Sequence, residues 1–177
     1  MSIKRKIENG IGIILGFPGL VFRRLFGNRI SFSVFSFVSL RASIKTYDNG
    51  RIYIGKKVAI RDNTELSVSK GHIIIGDNCF INKNCMVIAH EQIEIGAFTT
   101  IGPNVCIYDH DHDNDNGDYI SSPILIGEKV WIGAGCILLK GITIGDNVTI
   151  GAGSIVTKDI PSNTIYFNKL IPVLMKK

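Results

Sequence analysis

The sequence predicts an all-β chain wound as a parallel β-helix, and three observations carry that reading: a period of six, glycine at one fixed place in the period, and a small residue at another. Aliphatic residues open successive hexads at Ile54, Ile60 and Leu66; Ile75, Ile81 and Val87; Ile95, Ile101 and Ile107; Ile126, Ile132 and Leu138; and Ile144, Ile150 and Val156. Glycine often follows the opener, as at Gly55, Gly76, Gly96, Gly102, Gly127, Gly133, Gly145 and Gly151. In the first two hexads of each triplet the fifth place is small or β-branched: Val58, Thr64, Cys79, Cys85, Thr99, Val105, Val130, Cys136, Val148 and Ser154. A helix cannot use this pattern, because openers six apart would spiral round its surface. A flat alternating strand is excluded as well, since the glycines would break it every few residues. Three hexads wound into one triangular turn satisfy it, with aliphatic chains inward and small residues relieving the corners.

Taken in order, residues 1–37 read as an amphipathic helical segment and cap. Ile3, Ile7, Ile11, Ile14 and Leu15 recur at helical spacing, Pro18 ends or restarts the helix, and a second short helix from Pro18 to Phe26 closes at Gly27 and Asn28. Two roles fit this segment: packing against the main domain, or resting on a membrane surface with its basic residues Lys4, Arg5 and Lys6. The apolar run from Ile11 to Phe22 is too short to span a bilayer and is interrupted by Gly16, Pro18 and Gly19, and no small-residue cleavage site follows it. The solenoid proper is expected over 38–160, opening weakly at Val38, Ala42 and Ile44, with a long insertion over 107–124. Residues 161–177 form a tail expected to help cap the exposed end.

A composition of 45% hydrophobic and 20% charged residues excludes wholesale disorder. The net charge of +5 has neither aromatic and basic interleaving nor zinc-finger spacing, so nucleic acid is not the expected partner. Cys79, Cys85, Cys106 and Cys136 contain no CxxC pair and suit a reducing cytoplasm; three of the four occupy the small inward place and read as core.

The chemistry concentrates where the rhythm stops, in IGPNVCIYDHDHDNDNGDY from Ile101 to Tyr119. His110 and His112 lie among Asp109, Asp111 and Asp113, any of which could fix an imidazole tautomer. His72 and His90 fall in extra residues at a corner of the prism, where a loop role is the simpler reading, although His90 shares a coil with Asn84.

The repeat resembles that of the hexapeptide acyltransferases over roughly Val38 to Ile160. IGPNVCIYDHDHD, followed by SSPILIGEKVWIGAGCILLKGITIGDNVTIGAGSIVTKDIP, is similar to the galactoside, maltose and nodulation-factor acetyltransferases and especially to the polysaccharide O-acetyltransferases. The resemblance implies a left-handed β-helix, a homotrimer with active sites between subunits, and acetyl coenzyme A as co-substrate with no metal. It assigns the family's catalytic histidine to His112, with His110 as its rival, and an acceptor-holding asparagine to Asn84, with His90 on the same coil edge. It matches Trp131, Ala134, Ala152, Thr157 and Lys158 to the coenzyme groove. The chain departs from the family's closing Gly-x-Pro turn, having YFNKLIPVLMKK instead, so Lys158, Lys140, Lys176 and Lys177 all stand as candidates for the coenzyme phosphates.

The expected activity is transfer of an acetyl group to a sugar hydroxyl in capsule, O-antigen or exopolysaccharide synthesis, in the cytoplasm or at the inner face of the membrane through residues 1–30. A histidine base suits it, because an alcohol is a poor nucleophile at neutral pH. N-acetylation of an amino sugar is the nearest alternative. A γ-type carbonic anhydrase would need zinc on three histidines, and the H-x-H pair with His72 or His90 reproduces that spacing poorly. A pure scaffold would have no use for the histidines.

Overall fold

The computed structural model describes residues 29–168 except 34, 114 and 116. The expected amino-terminal helices and most of the carboxy-terminal tail, including Lys176 and Lys177, lie outside the described residues.

Strands of two to five residues stack in parallel register into three sheets of six, seven and six strands, the three faces of a β-solenoid prism. Every opener named above lands on its counterpart in the next coil. Ile54, Ile75, Ile95, Ile126 and Ile144 form one inward column. Ile60, Ile81, Ile101, Ile132 and Ile150 form the second, and Leu66, Val87, Ile107, Leu138 and Val156 the third. All are buried and belong to one continuous core. A period of six therefore measures one side of the prism, and burial of the columns drives the winding.

The corners explain the other two regularities. At Gly96 a β-carbon would fall 2.4 Å from the backbone of Gly127 in the next coil, and at Gly133 it would fall 2.5 Å from Ala152 N, so the coils approach too closely for any side chain. The small inward residues cap backbone carbonyls of the following coil. Cys79, Cys85 and Cys136 donate their S–H to the carbonyls of Gly96, Gly102 and Gly151 at 3.1–3.2 Å, and the Thr64 and Thr99 hydroxyls donate to Asn82 and Gly127.

One regularity was not read from the sequence. The fourth place of a hexad takes a left-handed backbone, with φ of 55–60° at Lys57, Asn63, Asn78, Asn84, Phe98, Asn104, Lys129 and Asn147 and 67–72° at Gly135 and Gly153. Asparagine and glycine recur there because they tolerate that conformation best.

The winding is longer than the boundaries suggest. Ile30–Phe32 already pairs with Arg51–Ile54, upstream of Val38. At the other end Ile160 bridges to Ile144, and Ile165–Tyr166 pairs with Thr149–Ile150. Ile107 and Tyr108 belong to the third-face strand Cys106–Tyr108, so the insertion itself starts at Asp109. It is an antiparallel hairpin of His110–His112 against Tyr119–Ser121, with His110 opposite Ser121 and His112 opposite Tyr119.

Candidate active site at the hairpin corner

The hairpin leaves the prism at the corner after the third face, and Asp109 is its footing. This side chain is fully buried. Its Oδ1 accepts the backbone N–H of His90, and its Oδ2 those of Glu91 and Gln92, all at 2.8 Å, so three donors of the preceding coil converge on one carboxylate. Such convergence repays the desolvation of a buried carboxylate. The three aspartates left open by the sequence now separate. Asp109 holds the corner and lies beside His110, Asp111 pairs with Lys140, and Asp113 caps the backbone N–H of Asp115 within the hairpin turn.

His110 Nδ1 stands 3.1 Å from Asp109 Oδ1. A carboxylate offers only acceptors, so Nδ1 carries the hydrogen in this contact. The His110 side chain is 13% exposed, its ring wedged between His90 at 4.1 Å and Tyr119 at 5.2 Å between centroids. His112 lies on the same face of the strand but further out. It is exposed, and its ring rests 4.8 Å from that of Tyr119. His90 closes the group with its ring 4.0 Å from Tyr119. Burial, and next the charge of His110, lower the His90 pKa below its ordinary value, favouring a neutral ring.

Lys70, His90, Asp118, Tyr119 and Ser121 line a cavity of about 370 Å³ beside the hairpin. His90 lines this cavity, whereas Asn84, expected on the same coil edge, lies at the opposite end of the third-face strand Met86–Ala89. Tyr119, Ser121 and Lys70 were missed, because only the hairpin register and the stacking of coils bring them there. Among the described residues no cluster of three or more His, Cys, Asp or Glu is placed to hold a metal ion.

The remaining residues do not join this group within one chain. Asn84 sits at the corner before the third face, with φ of 58° and its Oδ1 accepting from Asn63 Nδ2 at 3.2 Å. Ala134 and Ala152 stack exposed at the same corner, where the Ala134 carbonyl accepts Gly153 N–H at 2.8 Å. Trp131, 57% exposed, stands on the second face. Thr157 and Lys158 are exposed at the far corner, on the hairpin side, whereas Lys140 there is engaged by Asp111. The third face separates the two corners by roughly 20 Å, the extended length of the residues from Asn84 to His90.

Comparison with known proteins gives the class. Residues 123–158 match the family model described as bacterial transferase hexapeptide (six repeats). Nodulation protein L of Rhizobium meliloti (strain 1021) is 46% identical over 95 residues, 51% of this chain and 52% of that protein. Galactoside O-acetyltransferase of Escherichia coli (strain K12) is 43% identical over 99 residues, 53% of this chain and 49% of that protein. A hexapeptide-repeat acetyltransferase from Vibrio cholerae O1 biovar eltor, solved in complex with acetyl coenzyme A, superposes with a TM-score of 0.52 at 35% identity over 54% of this chain and 55% of that one. Stacked hexads, prism and matched segment together define a hexapeptide-repeat β-solenoid. Residues 123–158 carry the bacterial transferase hexapeptide repeat, and the chain spans about half the length of the curated relatives it matches.

Proposed function

We propose that this chain is an acetyl-coenzyme-A-dependent O-acetyltransferase acting on a sugar hydroxyl, with His112 as general base. The observation that supports it best is the hairpin itself: an exposed histidine, packed on Tyr119, stands on a strand anchored through His110 to the buried Asp109. A base must touch the hydroxyl it deprotonates, and His112 is presented for that contact whereas His110 is enclosed. A neutral imidazole has one ring nitrogen free to accept the hydroxyl proton. As the sugar oxygen bonds to the acyl carbon and the carbon–sulfur bond breaks, His112 returns that proton to the departing thiolate. His110 is the second reading, favoured by its contact with Asp109 and disfavoured by its enclosure.

The separation of the two corners supports a site shared between subunits. In a homotrimer, Asn84 of one chain would meet the His112 hairpin of its neighbour across the groove. Ala134 and Ala152, flat and exposed, would line the coenzyme with Trp131, and Thr157 and Lys158 would approach its polar end. Lys158 is the better candidate for the phosphates, because Lys140 is already paired. Use of acetyl coenzyme A would place the reaction in the cytoplasm, with residues 1–30 resting at the inner face of the membrane and the product entering a capsule, O-antigen or exopolysaccharide.

The test is free thiol released from acetyl coenzyme A with a panel of sugars, amino sugars and sugar nucleotides, followed by mass spectrometry of the product. An ester on a hydroxyl supports the proposal. An amide on an amino sugar would replace it with N-acetylation, and no thiol release with any acceptor would refute acetyl transfer. Sedimentation equilibrium tests the trimer, and flotation with anionic vesicles tests the membrane contact.

A further inference from the structure

The corner that carries Asn84 changes character along the prism. Asp62, Lys83, Pro103 and Ala134 succeed one another there, their carbonyls accepting the N–H groups of Asn84, Asn104, Gly135 and Gly153 in the following coils at 2.8–3.1 Å. After Asn84 the corner bears no charged side chain and flattens to alanine and glycine. Up to Asn84 it is basic, with Arg41, Arg61 and Lys83 gathered about one acid, Asp62. Asp62 accepts the Ser39 hydroxyl, and that bond first, then the charges of Lys83, Arg41 and Arg61, hold its pKa below the ordinary carboxylate value against the effect of burial. The next acid along the coil, Glu65, is taken by Lys45 at 2.9 Å. Arg61 is also fixed in place. Phe37, Ala59 and Phe80 form the outward column of the second face, and the small Ala59 leaves room for the guanidinium to stand between the two rings, 5.8 Å from each centroid.

A guanidinium held between two phenyl rings offers a planar set of donors, the shape that meets a carboxylate through paired N–H···O bonds. Arg41 and Lys83, both exposed, add positive charge around it, so the corner carries more positive charge than Asp62 cancels. The rings of Phe37 and Phe80 give the C–H face of a pyranose an apolar surface to lie against. We infer that the acceptor is an acidic saccharide: while Asn84 holds the unit that receives the acetyl group, the carboxylate of a uronic acid unit lies on Arg61, with Lys83 and Arg41 around it. The acceptor then runs away from the flat half of the corner, where the coenzyme is proposed to lie. This inference rests on the acetyl-transfer reading above and adds to it the charge of the acceptor.

Titration calorimetry on the full chain with tetragalacturonate and, separately, with a hyaluronan tetrasaccharide tests it, the methyl ester of each serving as a control that keeps the sugars and removes the charge. Wild type should bind at least one of the acids, and its methyl ester about tenfold or more weakly. Arg61→Gln should lose a similar factor for the acid and none for the ester. Should Arg61→Gln lower the melting temperature, Lys83→Gln, altered at an exposed side chain, takes its place and should weaken the acid several-fold. No binding of either acid to wild type, equal binding of acid and ester, or undiminished binding in both variants overturns the inference. UDP is titrated alongside: a loss of UDP binding in Arg61→Gln without a loss for either uronate would make the bound group a phosphate and overturn it too. Thiol release from acetyl coenzyme A is recorded with the same proteins. Uronate binding in the expected pattern with no thiol release for any acceptor leaves this site standing and refutes acetyl transfer, whereas thiol release with neutral sugars and no uronate binding leaves acetyl transfer standing and removes this site.

Discussion

Asp109 Oδ1 lies 3.1 Å from His110 Nδ1 while the same carboxylate gathers the backbone N–H groups of His90, Glu91 and Gln92. One buried side chain thus ties the hairpin strand to the coil before it. Asp109→Ala leaves three part-buried backbone donors without their carboxylate and should destabilise the fold by roughly 3 kcal/mol. Asp109→Asn, which turns an amide nitrogen toward a donor, should cost about 2 kcal/mol. Thermal and denaturant unfolding measure both, and a change below about 0.5 kcal/mol for Asp109→Ala would contradict the footing.

Under the proposed mechanism His110 would be a positioning residue through that contact. His110→Ala should lower turnover and the melting temperature together, whereas His110→Asn, whose amide N–H can still donate to Asp109, should restore most of both. Rescue of stability without rescue of turnover would mean that His110 itself meets the substrate.

Acid should loosen this corner. The His90 pKa is lowered in the folded chain, first by burial and then by His110, so the folded state binds a proton less readily than the unfolded one. The associated stability is present above the ordinary histidine value of about 6.5 and is lost as pH falls through the lowered one. Melting temperatures recorded from pH 7.5 down to 5 should decline, and His90→Gln should flatten the decline; an equal slope in both proteins would count against His90 as its source.

The thiols offer a check on the core. Burial raises the pKa of Cys79 to about 11 and also raises those of Cys85 and Cys136, leaving little thiolate at neutral pH. A disulfide reagent should titrate at most Cys106 quickly in the native protein and all four thiols after denaturation. Fast reaction of Cys85 in the folded chain would contradict its place inside the prism.

The fold was legible because translation along the prism repeats in the sequence: Ile101 stacks on Ile81 and Ile132 for the same reason that six residues separate consecutive sides. The left-handed corners were less legible, since Lys57, Phe98 and Lys129 occupy a place that asparagine and glycine would have announced. The strands within the insertion were not legible, because His110–His112 carries no apolar alternation; its pairing with Tyr119–Ser121 depends on the footing below it. The footing itself was out of reach. Asp109 is distinguished from Asp111 and Asp113 only by backbone donors of another coil, and no spacing within the segment records them.

The most direct test is the rate of thiol release from acetyl coenzyme A by wild type and His112→Ala, measured with an acceptor identified from the panel and with melting temperatures in hand. His112→Ala should lose about a hundredfold or more in kcat while keeping the wild-type melting temperature, since an exposed side chain contributes little to the fold. A His112→Ala rate within a few-fold of wild type, with His110→Ala inactive yet fully folded, would contradict the assignment and move the base to His110.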